Sequence, residues 1–416
     1  MTTENNPLAG LDAIDWAALE HAYGAADDVP EQLRALCGTD AEGRRKALHA
    51  LYGNIFHQGS RYEASAAAVP FLARMAADAS VPDRDEVLEL LAALAIGYDE
   101  AHLPGGVDVT GWRQEVAAFR AKDPEQVRAE YDTWVAEAPD DGERRVREMH
   151  RAVFDFDAQL RAADAELGAY DAVRQEVPAL CALLDDGDPA VRAATAYLVA
   201  WFPEEGNRTV PHLLRLLDHE TDQAVVATAL VAAGLLGDAT LTDRLRPFLT
   251  AGDQTVRWAA ATALARLGST GAEAAVGAEV LAELAAVEAD PPEPGPPGIL
   301  FHEGNLRGYA AASLTLLADR YPTEALDAVT DGLAATTGPA GFAVAAAALR
   351  LAFGSQRPAG LPAFADLDRR QQRLVRVLAT LDDGTWRWGN FLGILRAWGL
   401  PQDRAAMRAY AGMPTE

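Results

Sequence analysis

Along most of the chain, apolar residues recur at three- and four-residue spacing, the period of a helix with one buried face, and not at alternate positions. Three segments in the middle line up with one another. They are Asp188-Pro-Ala-Val-Arg192-Ala-Ala-Thr-Ala-Tyr-Leu, Asp222-Gln-Ala-Val-Val226-Ala-Thr-Ala-Leu-Val-Ala and Asp253-Gln-Thr-Val-Arg257-Trp-Ala-Ala-Ala-Thr-Ala, 31 to 34 residues apart. That interval is one helix pair. Each Asp is placed to cap the free N–H groups of a helix, Pro189 falls where a first turn tolerates it, and Val191, Val225 and Val256 begin an apolar stripe. Small Ala and Thr residues let neighbouring helices approach closely.

A second helix follows in each unit, built around an apolar residue and a proline: Val177-Pro178, Val210-Pro211 and Leu245-Arg-Pro247. The proline is expected in a first turn, where it sets the entry angle. The same grammar recurs near the N-terminus, with Asp40-Ala-Glu-Gly-Arg44 opening one helix and Ala68-Val69-Pro70-Phe-Leu in the next.

These units resemble the HEAT repeat, in particular the bacterial subgroup of phycobilisome-lyase-like proteins, with its Asp-x-x-Val-Arg opening and Val-Pro-x-Leu second helix. The match is good over Tyr170 to Leu267, fair over Asp40 to Asp78 and faint elsewhere. The resemblance implies an all-α fold, an α-solenoid (superhelix) of HEAT-like helix pairs with terminal helical caps. It also implies a ladder of Asp and Arg side chains along the stack. Asp188 with Arg192, Asp253 with Arg257 and Asp40 with Arg44 fit that ladder, and Val226 interrupts it. The segments Ile14-Asp15-Trp16 and Tyr52 to Gly59 resemble a group of actinobacterial HEAT-repeat proteins, a likeness that carries no activity.

Residues 1–39 are expected to form an N-terminal helical cap, with two short helices over Leu11 to Leu36, the first amphipathic through Ile14, Trp16, Leu19 and Tyr23. HEAT-like repeats follow over 40–98 and 169–288. Between them, 99–168 is an acidic helical insert that breaks the period, with one long helix expected over Gly142 to Leu167. It reads either as a binding insertion or as a pair of worn repeats. The prolines of 289–304 exclude a helix and predict a loop. Helical repeats and a cap that buries the aromatics of Trp386 to Trp398 complete 305–416.

Composition supports the helical reading, because aromatics make up only 7% of a chain rich in Ala, Leu, Arg and acids. The formal charge of -26 disfavours nucleic acid and anionic lipid, and favours a basic partner. Lys occurs only at positions 46 and 122. Cys37 and Cys181, far apart in apolar stretches, predict free thiols. Without a basic, apolar leader or a stretch of roughly 20 apolar residues, the chain is expected in the cytoplasm.

No phosphate-binding Gly loop, nucleophile elbow, His-Glu-x-x-His helix or paired Cys motif occurs, so no catalytic residue, metal ligand or cofactor is assigned. His212 with His219, and His49 with His57, lack the three converging ligands a metal needs. Two polar clusters are candidate binding sites. The first holds Asn54, His57, Gln58, Arg61 and Tyr62; the second holds Phe301, His302 and Arg307. Both have a bland alternative in capping and ion pairing. Trp201 and Trp258 are expected in the core.

The reading that follows is a non-catalytic scaffold holding a protein or peptide on the concave row of second helices, in an oligomeric state the sequence leaves open. The alternatives are an immunity or inhibitor protein against a basic toxin or nuclease, and an enzyme on a HEAT scaffold, like a bilin lyase or an alkyl-DNA glycosylase. The last would need a local basic patch, for which Arg215, Arg244 and Arg246 are the candidates.

Overall fold

The computed structural model describes residues 6–138, 141–271, 277–289, 299–354 and 361–414. The segment 290–298, at the centre of the expected proline-rich loop, lies outside them. Two compact units make up the chain: Met1–Tyr98 with Val107–Leu183, and Asp99–Gly106 with Leu184–Glu416. Each is built of packed helix pairs, the all-α solenoid-type organisation expected. Two two-residue strand pairs, β1 (Glu20–His21) with β2 (Gly24–Ala25) and β3 (Phe56–His57) with β4 (Ser60–Arg61), are minor additions.

The first unit contains α1 (Val29–Leu36), α2 (Ala41–Asn54), α3 (Glu63–Ala77), α4 (Arg84–Ile96), α5 (Val109–Arg120), α6 (Pro124–Ala136), α7 (Asp141–Val153) and α8 (Phe156–Leu180). Helices α3, α4 and α8 pack mutually, α1 lies on α2, and α6 pairs with α7. The expected N-terminal amphipathic helix is replaced by two 3-10 turns, Leu11–Ala13 and Trp16–Ala18, and the β1–β2 hairpin. Trp16 is buried and donates its indole N–H to the Leu11 carbonyl, whereas Tyr23 is 72% exposed. Four apolar residues at helical spacing did not outweigh burial of one indole and left-handed glycines at Gly10 and Gly24.

The helix expected over Gly142 to Leu167 is two helices, because Asp155 turns out of the first and caps the second through the Ala158 N–H. Helix α7 buries none of its residues, and Val153 is 77% exposed.

The second unit contains α9 (Pro189–Val199), α10 (Gly206–His219), α11 (Gln223–Leu236), α12 (Thr242–Leu245), α13 (Gln254–Ser269), α14 (Ala278–Ala289), α15 (Leu306–Thr315), α16 (Pro322–Ala334), α17 (Gly341–Phe353), α18 (Arg369–Thr380), α19 (Asp383–Trp386), α20 (Gly389–Ala397) and α21 (Arg404–Tyr410). Helices α9, α11, α13, α15, α17 and α20 pack successively into a first row. Behind it, α10 packs on α11, α14 on α13, α16 on α14 and α17, and α18 on α16. Gly234 on α11 permits a close approach in this row: a Cβ there would stand 2.5 Å from the Ala263 Cα of α13. Trp201 and Trp258 are wholly buried, as expected.

The Asp residues do cap: Asp40, Asp188, Asp222 and Asp253 each accept a backbone N–H in the first turn of α2, α9, α11 and α13. The ladder itself differs from the one implied. Arg44, Arg192 and Arg257 do not pair with their own caps. Each sends Nη1 back six residues to a carbonyl, of Gly38 (3.1 Å), Asp186 (2.8 Å) and Ala251 (3.0 Å). Each sends Nε forward to an acid in the next pair, Asp83 (2.7 Å), Glu220 (2.7 Å) and Glu283 (3.1 Å). The Asp carboxylates are occupied by helix N–H groups, so the guanidiniums find partners elsewhere.

The prolines also differ in part. Pro189 and Pro247 sit at the start of their segments, but Pro70, Pro178 and Pro211 lie inside α3, α8 and α10. These helices begin earlier than the proline suggests: α10 grows directly out of the 3-10 turn Pro203–Glu205, and α8 reaches back to Phe156. Each interior proline removes one ladder N–H.

Candidate functional site

The first candidate cluster is a hairpin. Gln58 and Gly59, at φ 51 and 88, form the two-residue turn between β3 and β4, where positive φ at both positions matches strand twist. Asn54 is buried: its Nδ2 donates to Gln32 Oε1 (3.0 Å) and its Oδ1 accepts the Ile55 N–H (2.7 Å). Arg61 is buried as well. It donates to the Gly59 carbonyl, stands 3.4 Å from the Glu166 carboxylate and lies 5.9 Å from the Trp112 ring centre. Burial lowers its pKa and Glu166 partly restores it. Tyr62 caps α3, with its N–H donated to Ser65 Oγ, and the His57 ring lies 5.4 Å from Tyr23. The five residues are thus brought together, but Asn54 is spent on tying the end of α2 to α1 and Arg61 on holding the turn.

The three residues of the second cluster separate. Phe301 enters the core against Tyr197 (4.9 Å), Trp201 (5.5 Å) and Tyr309 (6.2 Å). Arg307 donates Nη1 to Thr336 Oγ1 (3.3 Å), and its charge acts on the buried carboxyl of Glu288, which burial raises well above the usual range. His302 faces a cavity of about 750 Å³ in the second unit.

That cavity is built from four separate stretches of chain. Helix α17 supplies its floor through Phe342, Ala343, Ala346, Ala347 and Arg350, which share one helix face. Helix α20 adds Asn390 and Ile394, with Trp388 and Trp398 at its two ends. Trp388 packs against Phe342 at 6.2 Å yet is 49% exposed, and Trp398 donates its indole N–H to the Gly354 carbonyl (3.1 Å). The expectation that this segment buries its aromatics therefore holds for Trp386 and Phe391 but not for Trp388.

The remaining walls are the segment Asp99–Gly106, the turn after 298, and Ala312 and Thr315 of α15. His302, Glu303 and Gly304 all adopt positive φ (56, 52 and 75), a conformation that costs a non-glycine residue about 1–2 kcal/mol. The buried Asp99 holds that turn. Its Oδ2 accepts the His302 N–H at 2.7 Å, and Tyr197 also bonds its side chain. Burial pushes the Asp99 carboxyl up, against the lowering effect of these hydrogen bonds. Glu100 Oε1 stands 3.5 Å from His302 Nδ1, and Leu103 and Pro104 reach the cavity. Arg266 Nε fixes the segment through the Gly105 carbonyl (2.7 Å). Asn305 caps α15 and donates to the Ala340 carbonyl (3.2 Å), which ties the start of α15 to that of α17.

The cavity thus opens on the first row of helices, not on the second helices where a partner was expected. It offers an apolar floor, two indoles and polar groups at either end. Sequence reading found His302 but missed Asp99, the α17 face and the two tryptophans. The available signal was the run of small residues in α17, unusual beside tryptophans ten residues apart.

The suggested basic patch is neutralised: Arg215 pairs with Asp185 (2.7 Å), Arg244 with Asp218 (2.6 Å) and Arg246 with Glu279. Among the described residues no cluster of three His, Cys, Asp or Glu side chains is gathered for a metal ion. No described helix is long and apolar enough to cross a membrane.

A family profile described as HEAT repeats matches residues 210–292, the stretch from α10 through α14. No curated protein matches the chain. Among solved structures, the crystal structure of an engineered protein from a structural-genomics consortium is similar at 18% identity, over 93% of this chain and 97% of that one, with a TM-score of 0.30. At that score the likeness carries no argument.

Proposed function

We propose that this protein is a non-catalytic binding scaffold, whose second unit holds a peptide segment of a partner protein in the cavity along α17. The observation that carries the reading is the groove itself, about 750 Å³ in volume. Its floor is a single helix face with three alanines between Phe342 and Arg350, and a strained turn that Asp99 pins in place forms one wall. Preorganised walls lower the cost of binding. A volume of about 750 Å³ lies in the range of sites that bury most of a ligand. Alanines let a backbone approach closely, and Trp388 and Trp398 are the residue type that anchors peptide complexes. From Phe342 to Arg350 the floor runs about 12 Å, enough for some eight residues of helix or four of extended chain. The HEAT repeats of residues 210–292 support the reading, because stacked helix pairs present extended surfaces to partners.

The test is a random-peptide display library panned on the full-length protein and on Ala346→Trp, whose indole fills the groove from its half-exposed floor. Enrichment on the wild type that disappears on an equally stable Ala346→Trp supports the site. Equal enrichment on both proteins refutes it.

A further inference from the structure

The two ends of the groove differ in charge, and the difference identifies its occupant. At the end where α17 begins, Glu100 and Glu303 project from the walls, both exposed, beside Phe342 and the half-exposed Trp388. At the other end stands the exposed Arg350, close to Trp398, whose indole is bound to the carbonyl just beyond α17. Arg350 makes no ion pair among the described residues, so its charge is available at this end of the groove.

His302 supplies an independent observation. It is 6% exposed and lines the cavity, yet its Nδ1 has no hydrogen-bond partner. A buried nitrogen without a partner is destabilising. In the tautomer with the proton on Nε2, Nδ1 is an acceptor, and the carboxylate oxygen 3.5 Å away on Glu100 is another. With the proton on Nδ1 the ring itself faces Glu100 as a donor; with it on Nε2 the two neighbouring acceptors take a donor from outside. An ammonium or guanidinium provides several, carries the charge that Glu100 and Glu303 favour, and stacks on the faces of Trp388 and Phe342.

We infer that the groove takes a peptide segment in a fixed direction, with a Lys or Arg side chain between Glu100, Glu303 and His302 and a carboxylate at Arg350. This rests on the groove being a peptide site. The rise of the backbone sets the spacing of the two charges: about four residues in an extended segment, or about eight in a helix. Interactions at the open rim are screened, so charge supplies direction and register here, while the apolar floor supplies affinity.

The experiment pans the same random-peptide library on four full-length proteins: wild type, Ala346→Trp, the double variant Glu100→Arg/Glu303→Arg, and Arg350→Glu. The rim side chains are exposed, so these reversals leave packing intact; coincident thermal melts check this. Wild type should enrich peptides with a basic and an acidic residue at the stated spacing. The double variant should lose or reverse the basic preference alone, and Arg350→Glu the acidic preference alone. A synthetic wild-type-selected peptide should bind each reversal variant about three- to tenfold more weakly. If enrichment depends on the open groove but shows no charge preference, the charge inference is overturned and the groove stands. If enrichment ignores Ala346→Trp, the groove reading falls and takes this inference with it.

Discussion

Replacing Arg192 by Met tests the packing logic of the repeats, because the variant keeps the alkyl stem and removes the charge. Arg192 donates Nε to Glu220 Oε2 (2.7 Å), Nη2 to Glu220 Oε1 (3.1 Å) and Nη1 to the Asp186 carbonyl (2.8 Å). Its partner cannot retreat into water: the Glu220 side chain is only 4% exposed. Two backbone donors remain for that carboxylate, the N–H groups of Thr221 and Asp222, both at 2.9 Å. Removing one member of a buried pair costs about 3–5 kcal/mol, and the residual donors bring the expectation down to about 3. For a unit of this size that is a fall in Tm of roughly 6–12 °C.

The control is Arg370→Met, whose pair with Asp327 is half-exposed and is worth less than about 1 kcal/mol. Acidity gives a second readout. Burial raises the Glu220 carboxyl, but Arg192 and the two N–H groups outweigh it and hold it below the usual range. A depressed folded-state pKa means stability present above the unfolded value, about 4.3, and lost as pH falls from there through the lower folded-state value. Calorimetric scans from pH 3 to pH 7 should show a steeper acid loss in wild type than in Arg192→Met. Equal melting of Arg192→Met and Arg370→Met at neutral pH, or parallel acid limbs, would refute the reasoning.

Gly234→Ala should lower stability by about 1–3 kcal/mol in urea titrations, although alanine is the better helix former, because its Cβ meets the backbone of α13; a stabilised variant would contradict the close approach. In the first unit, burial, with Asp85 and Glu86 nearby, pushes the Glu89 carboxyl up to about 7. A raised folded-state pKa favours the protonated fold, so wild-type stability should fall as pH rises from about 4.5 to about 7, by up to about 3 kcal/mol. Glu89→Gln should flatten that decline in pH-dependent melts, and an unchanged slope would show that the group is solvated.

What could be read from the sequence was local chemistry. Asp40, Asp188, Asp222 and Asp253 announced helix starts because a cap acts within three residues of itself. The partners of Arg44, Arg192 and Arg257 escaped notice because the accepting acids lie 39, 28 and 26 residues onward, at a place only the stacking defines. Pro70, Pro178 and Pro211 misled for a related reason: a helix held by neighbours on both sides tolerates a missing N–H that would end an isolated one. The N-terminal segment misled because four apolar residues are too few to outweigh the burial of Trp16.

The groove was largely hidden. His302 stood out as a polar residue at a helix start, but the residue that holds it, Asp99, is 203 positions away in a segment that reads as the edge of an insert. Nothing in 305–416 set the alanines of α17 apart from those of any repeat helix, and several of them do pack in the core. Only the positions of Trp388 and Trp398 turn that stripe into a floor.

The most direct measurement of the central claim is backbone amide exchange of the full-length protein with and without a peptide selected on it. Exchange should slow in Asp99–Gly106, at 301–305, and in α17 and α20, with the first unit unchanged. Protection confined to the second row of helices or to the Gln58 hairpin, with α17 unaltered, would contradict it.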